Sequence, residues 1–539
     1  MKTQTRYLFR LIIPAVPKFN VYDWMLKKTT ALAAICVATA ANKLSDWDVE
    51  IIDENNCSSK FCPKDELGRP DHVKIQEERS ADAVGFCGSL SCSIPRLFEL
   101  AELYKNFGVK TVAGGKHVEN LPEETLRNNI DVVVFGDGEE AIRDILSAWQ
   151  QDGRILDDIP GIAFLNQEQI VKTRERALIA DLETLPFPDF GLLLYAKIKI
   201  YPVSWQRGCP YNCEFCAVKD SVRHCSAERL TANIIHLAVT RKARKFFIVD
   251  DHFGGNIHQK IERQKIFRLC ELLENYQRTN NTNFRISIQI RIDAAKYPEL
   301  LKAMRNAGIE MACIGYESPI DEELRAMRKG YSTQDMVGWT NIFRQLGFCV
   351  HGMFIFGYPE KDSDSGRPII SIEEKTRRFK NFIREAKIDT AQILLTVPLP
   401  GTELRDRLLE ENRIFENIGW EYYDGQYPLF IPDDNIKPEE LQEAVKKIMS
   451  GFYRLRHFWS VMTSLLLGFP LILGFASFSL LLLRVKYLTS AFKFWRKNFW
   501  RNQKMRFLGT FIIWKFTKNL ETDGFLEKLA KAKKSATRD

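Results

Sequence analysis

Three cysteines, Cys209, Cys213 and Cys216, stand at C-x3-C-x2-C spacing in the stretch Arg207-Gly208-Cys209-Pro210-Tyr211-Asn212-Cys213-Glu214-Phe215-Cys216. An extended run over 198–205 precedes them, which places the thiols on a loop at a strand's end. Three thiolates so close hold three irons of a [4Fe–4S] cube and leave the fourth iron open to a small ligand, whereas full ligation takes four cysteines. Two other readings stand beside this one. A structural zinc site prefers paired C-x2-C units, or one such unit with histidines; the chain has no second C-x2-C, and Cys225 is isolated. Free cysteines also pack as small hydrophobes.

The elements that position such a loop follow from length and pattern. A chain of 539 residues exceeds one core and predicts three or four domains. Hydrophobic content of 45% with 27% charge is ordinary for a globular protein. The twelve cysteines are scattered rather than framework-like. The apolar run over 8–16 is short and broken by Arg10 and Pro14, so it reads as a buried strand rather than a cleavable signal. Together these predict a reducing cytoplasm. The net charge of +8 is uneven: from Arg484 onward 15 Lys and Arg face 4 Asp and Glu, a surplus of 11, so the rest of the chain carries about −3. The basicity belongs to the tail, and no nucleic-acid partner is expected.

Residues 1–150 alternate strand and helix, with strands expected over 7–13, 48–53, 82–86, 109–113 and 132–135 and helices over 29–44 and 95–107. Such alternation predicts a parallel sheet covered on both faces, with ligands at the carboxyl ends of its strands. Those ends carry Gly85, Gly88, Ser89, Gly114, Gly115, Gly136 and Gly138. Glycines there make tight turns or let the backbone approach a flat or phosphate-bearing ligand. Residues 151–196 read as a hairpin and a proline-fixed linker around Leu185-Pro186-Phe187-Pro188. Over 197–411 the alternation resumes, with six strands expected at 198–205, 245–250, 285–289, 311–315, 350–356 and 390–395. That is too short for an eight-stranded barrel and predicts a partial (β/α)6 barrel.

The cysteine spacing, with Arg-Gly before it and an aromatic just before the last cysteine, resembles the signature of the radical S-adenosylmethionine (radical SAM) family. In that family the amine and carboxylate of SAM occupy the open iron, and one-electron reduction cleaves SAM to a 5′-deoxyadenosyl radical. Ala113-Gly114-Gly115-Lys116-His117, then Pro122-Glu123-Glu124, then Gly136-Asp137-Gly138-Glu139-Glu140 resembles the cobalamin-binding domain that precedes many radical SAM domains, with Asp137 replacing the first usual Glu. The resemblance covers roughly 370 residues in the right order. It implies a flavodoxin- or Rossmann-like cobalamin domain over 1–150 and a radical SAM barrel over 197–411. It implies Cys209, Cys213 and Cys216 as cluster ligands. SAM contacts are implied at Asp250, Asp251, Gln289, Arg291, Glu317, Ser318 and Gly357, with Arg291 suited to a carboxylate. Cobalamin contacts are implied at Gly85, Ser89, Gly114, Gly115, Gly136, Gly138 and Glu139. The first domain has no D-x-H-x-x-G, so cobalt lacks the imidazole of the methionine-synthase kind. His117 is either a cobalt ligand or a histidine in a ligand-side loop. The string Asp250-x-His252-x-x-Gly255 lies in the second domain and reads as part of the SAM site.

Residues 412–539 read as a helical extension. Residues 458–483 are 26 positions without a charge, long enough to cross a bilayer, with Pro470 in a position to kink them. Phe492, Phe494, Trp495, Phe499 and Trp500 alternate with Lys and Arg, which suits a headgroup interface. The expected whole is a radical SAM enzyme on the cytoplasmic side of a membrane, with a [4Fe–4S] cluster, SAM and cobalamin. It would methylate or cyclise a small hydrophobic substrate, with a flavodoxin or ferredoxin as electron donor. The alternatives are a radical SAM enzyme without functional cobalamin, or a non-catalytic membrane-associated Fe–S redox protein.

Overall fold

The structure, a computed structural model, describes residues 6–18, 20, 23–150, 156–360, 370–415, 418–433, 436–453, 511, 514–515, 518 and 525–536. In the first domain β1 (Tyr7–Ile13), β2 (Trp47–Asp53), β3 (Ala83–Cys87), β4 (Lys110–Gly114) and β5 (Val132–Val134) run parallel in the order β5-β4-β3-β1-β2. The order reverses at β1, and open sheets of this topology bind ligands in the crevice between β1 and β3. The 151–196 stretch is more than a connection. The hairpin β6 (Ile162–Asn166) and β7 (Gln169–Lys172) extends the sheet antiparallel beyond β5. At the other edge β8 (Leu193–Leu194) pairs with β2. Both additions satisfy backbone groups that a bare sheet edge leaves open.

The second sheet begins at β9 (Tyr201–Val203), shorter than the sequence suggested. A two-residue ladder of β10 (Gln206–Arg207) and β11 (Arg223–His224) follows and brackets the cysteine loop. Then come β12 (Lys245–Ile248), β13 (Arg285–Gln289), β14 (Ile309–Glu317), β15 (Cys349–Phe356) and β16 (Thr390–Leu395). All six barrel strands are parallel and in sequence order. The register slips between Gly315 and Glu317, and Glu317 sits at φ 60°, a conformation rare outside glycine. The helix Pro438–Phe452 packs on β16 and on the helix Ile372–Glu385, covering the barrel's open edge.

One apolar core runs through both domains. Ile35 and Ala38 of the helix Leu32–Ala41 belong to the same packed cluster as Trp205, Leu230 and Phe246. The C-terminal part joins from the other side: the turn Trp420–Tyr422 lies on the first domain's turn Ser91–Ser93 and helix Ile94–Asn106. The helix Phe525–Ala536 buries Phe525 and Leu529 in a cluster with Tyr422 and Tyr427. Among the described residues no helix is long and apolar enough to cross a membrane. The apolar segment 458–483 and the aromatic cluster at 492–500 lie outside the described residues.

Candidate active site

The cysteine loop leaves β10 through Gly208 at φ 81°; a Cβ there would meet the carbonyl oxygens of Asp220 and Ser221 at 2.5 Å each. The two arms of the loop therefore close on a glycine. Cys209 N donates to Asp220 O at 3.2 Å, Cys216 N to Cys213 O at 3.2 Å, and Val218 N to Cys216 Sγ at 3.4 Å. All three thiols are partly exposed. Burial, with the neighbouring thiols' charge behind it, raises the Cys209 and Cys216 pKa values, a bias that iron ligation reverses. Among the described residues no three His, Cys, Asp or Glu side chains gather as one metal ion would require; in a cube each thiolate takes its own iron.

Glu214, between the second and third cysteines, is buried and fixes the loop across the barrel mouth. Its carboxylate accepts from Tyr358 Oη at 2.6 Å and Arg407 Nε at 3.1 Å, and its carbonyl accepts from Leu404 N at 3.2 Å. Gln206 braces the entry, donating to Gly208 O at 3.2 Å and accepting from Gly255 N at 2.8 Å.

Asp250 Oδ1 accepts from Ser204 Oγ at 2.9 Å, Trp205 N at 2.9 Å and Gln206 N at 3.2 Å, joining the ends of β9 and β12; its Oδ2 is buried with no partner. Burial pushes this carboxyl up to about 7 despite those bonds. A raised carboxyl means the fold holds a proton that the unfolded chain, titrating near 3.8, releases. Stability of the cofactor-free protein then falls as pH rises from about 4 to about 7, with the full loss present above that. Asp250→Asn is expected to flatten that slope in urea melts at pH 5 and pH 8, with an effect on the order of a few kcal/mol at the upper end. An unchanged slope would show that the carboxyl titrates normally.

The other expected SAM contacts fall into two groups. Gln289 Nε2 donates to Asp250 O at 3.3 Å, and Arg291 stacks on Tyr211 of the cysteine loop, 4.1 Å from the ring centre, and over Tyr331 at 5.0 Å. Glu317 accepts from buried Lys329 Nζ at 2.8 Å. Ser318 is directed inward instead: its hydroxyl donates to Glu323 and accepts from Ile320 N at 3.1 Å, which makes it a turn residue. Gly357 lies under Leu441, where a Cβ would come within 2.9 Å, so its contact is the C-terminal helix. The Ser318 hydroxyl is thus spent within its own turn, and Gly357 is packed against the C-terminal helix.

Sequence reasoning passed over Tyr211, Lys329 and the role of His252. The His252 ring meets Tyr211 edge-on at 5.2 Å, and burial together with the Arg291 charge drives its pKa down to about 3, leaving a neutral imidazole. Tyr211 Oη, His252 Nε2, Arg291 Nε, Asp293 Oδ1 and Asp250 Oδ2 are all buried without a hydrogen-bond partner. Buried polar groups are normally satisfied. Such a group beside three thiols fits a ligand bearing amine, carboxylate and hydroxyls, as SAM does.

A cavity of about 370 Å³ opens between the two sheets. One wall holds Gly85, Ser89, Gly114, Gly115, Gly136, Gly138 and Glu139; the facing wall holds Gly208, Val218, Asp250 and Asp251. Gly115 is required at its place: φ is 121°, and a Cβ would lie 2.4 Å from Ser89 Oγ. No histidine lines the cavity among the described residues. His117 points into the fold, with Nδ1 2.9 Å from Ser91 Oγ and its ring edge-on to Trp420 at 4.6 Å, so it does not face a bound ligand.

The model for the B12 binding domain matches residues 27–146, and that for the Radical SAM superfamily matches residues 203–365. The chain joins a B12-binding domain to a radical SAM domain. An uncharacterized methyltransferase of Pyrococcus horikoshii is 26% identical over 72% of this chain and 82% of its own. The hopanoid C-2 methylase of Rhodopseudomonas palustris is 22% identical over 74% of this chain and 67% of its own. In fold the chain is similar to the cobalamin-dependent SAM radical enzyme OxsB, solved with aqua-cobalamin and SAM bound: TM-score 0.64, 15% identity, covering 99% of this chain and 84% of that one. The cofactors of this radical SAM protein are a [4Fe–4S] cluster, SAM and cobalamin. The glycine floor lets a large flat cofactor approach the backbone closely, which fits cobalamin.

The seam between the two domains is held by charge. Arg207, one residue before Gly208, donates to Asp137 Oδ1 at 2.7 Å and to both oxygens of Glu139. Arg223, on the other arm of the loop, bonds Asp137 and donates to Ile179 O at 2.8 Å. Lys116 reaches Asp220 at 3.3 Å. Burial raises the Asp137 carboxyl pKa, but the Arg223 and Arg207 guanidiniums outweigh it and hold the pKa below the usual range. The Gly136-Asp137-Gly138-Glu139 stretch of the B12-binding domain thus spends both carboxylates on the radical SAM domain. The carboxylate of Glu139, expected to meet cobalamin, is engaged by Arg207. Away from this seam, Trp420 Nε1 of the C-terminal part donates to Glu124 of the first domain at 2.7 Å.

Proposed function

We propose that the protein is a cobalamin-dependent radical SAM methyltransferase acting on a small hydrophobic molecule. One observation carries this reading: a single cavity is shared by the glycine-floored strand ends of the B12-binding domain and by the two arms that flank the cysteine loop, Gly208 on one side and Val218 and Asp220 on the other. When bound, the cluster and SAM supply a carbon radical able to take hydrogen from an unactivated carbon, and cobalamin supplies a methyl group. The chain's own part is placement. Gly208 and Glu214 set the loop, Arg207 fixes its distance from the B12-binding domain, and Tyr211, Arg291 and His252 offer polar atoms to the ligand beside it. The cavity's apolar walls, Leu32, Val37 and Leu178 among them, favour a hydrophobic substrate, in keeping with the hopanoid methylase among the relatives. A flavodoxin or ferredoxin is the proposed electron donor.

The membrane reading also belongs here. Helix Phe525–Ala536 packs Phe525 against Tyr422 and Tyr427 of the same folded body, which supports a reading in which the apolar segment 458–483 meets the membrane from one side. A single crossing would separate its two flanks; contact from the cytoplasmic face alone keeps them together, with the basic tail against anionic headgroups. Flotation with anionic vesicles, and proteolysis of the C-terminal helix from the enzyme's side only, are the expected results. Protection of that helix inside sealed vesicles would overturn the one-sided reading.

Anaerobic protein loaded with cluster and cobalamin, given a reductant, methyl-labelled SAM and a lipid and pigment extract, is expected to release 5′-deoxyadenosine and label an apolar product. Deoxyadenosine with no labelled product would favour a radical SAM enzyme that does not use cobalamin for methylation. Neither product would favour an Fe–S redox protein.

A further inference from the structure

One pair of thiols outside the site differs from the remaining cysteines. β2 runs into a surface loop in which Cys57 Sγ and Cys62 Sγ lie 2.6 Å apart. Cys57 is the thiol that solvent reaches: it is partly exposed, Cys62 behind it is buried, and Phe61 beside them is 77% exposed. Lys64 Nζ donates to Cys57 O at 3.0 Å. By contrast, burial holds the Cys36, Cys92, Cys225 and Cys313 thiols up at about 12. The neighbouring Cys62 thiol, with the Lys64 charge behind it, lowers the Cys57 pKa against the opposing effect of burial; contact with Cys57 and burial raise that of Cys62, so Cys57 is the readier thiolate. The same loop grips the chain on its way between the domains. Cys57 forms a backbone bridge with Ala196, Ser58 N and Ser59 N both donate to Tyr195 O at 3.0 Å, and Lys197 N donates to Asn56 Oδ1 at 3.2 Å. These residues carry the chain from β8 to β9.

We propose that Cys57 and Cys62 form a thiol–disulfide exchange site that reads the oxidation state of low-molecular-weight disulfides and stiffens the grip on the interdomain segment when oxidised. The Cys57 thiolate attacks a small disulfide, releasing one thiol and leaving a mixed disulfide. The Cys62 sulfur then displaces the second thiol. Two protein thiols and one small disulfide become one protein disulfide and two small thiols, and the two protons leave on those thiols.

The full-length protein carrying its cluster, kept anaerobic, would be equilibrated in glutathione buffers of rising disulfide-to-thiol ratio, trapped with an alkylating agent and mapped by peptide mass. Cys57 and Cys62 are expected to lose alkylation together, with the buried thiols still free after denaturation. In Cys62→Ser, Cys57 is expected to retain glutathione as a stable mixed disulfide, a readout that does not depend on activity. Both thiols remaining alkylated across the whole series, or Cys62→Ser taking up no glutathione on Cys57, would overturn the assignment.

Discussion

Gly208→Ala is expected to lose nearly all of its iron after anaerobic reconstitution, although it removes no ligand. The residue sits in left-handed backbone, where any L side chain costs about 1–2 kcal/mol. Its new methyl would also stand 2.5 Å from two carbonyl oxygens that belong to rigid backbone, Asp220 and Ser221. Relief requires the arms of the loop to part, and the Cys209 N to Asp220 O bond lies in the path. Strain and displacement together come to about 3 kcal/mol, roughly a hundredfold on the fraction of loops closed for cluster assembly. Iron per chain and the sulfur-to-iron absorption band read the outcome; a variant that reconstitutes like the parent would show that the loop does not need this turn.

The second large effect is expected at the seam. Glu139→Ala strands the Arg207 guanidinium in a partly buried place, with Asp137, already shared with Arg223, the one carboxylate left to meet it. Removing one partner of such a pair costs about 2–4 kcal/mol, much of it the penalty of the charge left behind. Arg207→Ala strands the carboxylates in the same way. The double variant leaves less charge stranded, so its destabilisation is expected to be well below the sum of the two singles. Urea unfolding and limited proteolysis of the 173–192 stretch measure this, and the single variants are expected to lose about tenfold in cobalamin retention as the crevice wall shifts. Strict additivity would mean the contacts are incidental.

What the sequence disclosed and what it withheld divide along a physical line. The strands β1, β12 and β16 were legible because a short apolar run is a local signal, and the cysteine loop because three thiols within eight residues have few other uses. The charged seam between the two domains was not legible. Asp137 and Glu139 meet Arg207 across some seventy residues of chain, and nothing local to either shows that a carboxylate beside a glycine turn will point at a guanidinium rather than at a cofactor. Ser318 and Gly357 followed a family pattern in type, yet the register slip beside Glu317 and the arrival of Leu441 from a distant helix decide where they face. Likewise β8 has only two residues and no pattern of its own; it is a strand because β2 would otherwise be a bare edge. His252 and Arg291 come from two segments remote from the cysteines in sequence, and only the fold brings them against Tyr211 of the cysteine loop.

The central claim is that the B12-binding domain and the cysteine loop serve one cavity. Electron paramagnetic resonance of the protein loaded with both cob(II)alamin and reduced cluster tests it most directly. Facing one another across the seam, the two paramagnets are expected to couple, broadening or splitting each signal relative to protein loaded with either alone, and the coupling is expected to weaken in Arg207→Ala. Two superimposed, unperturbed signals from fully loaded protein would contradict a shared cavity.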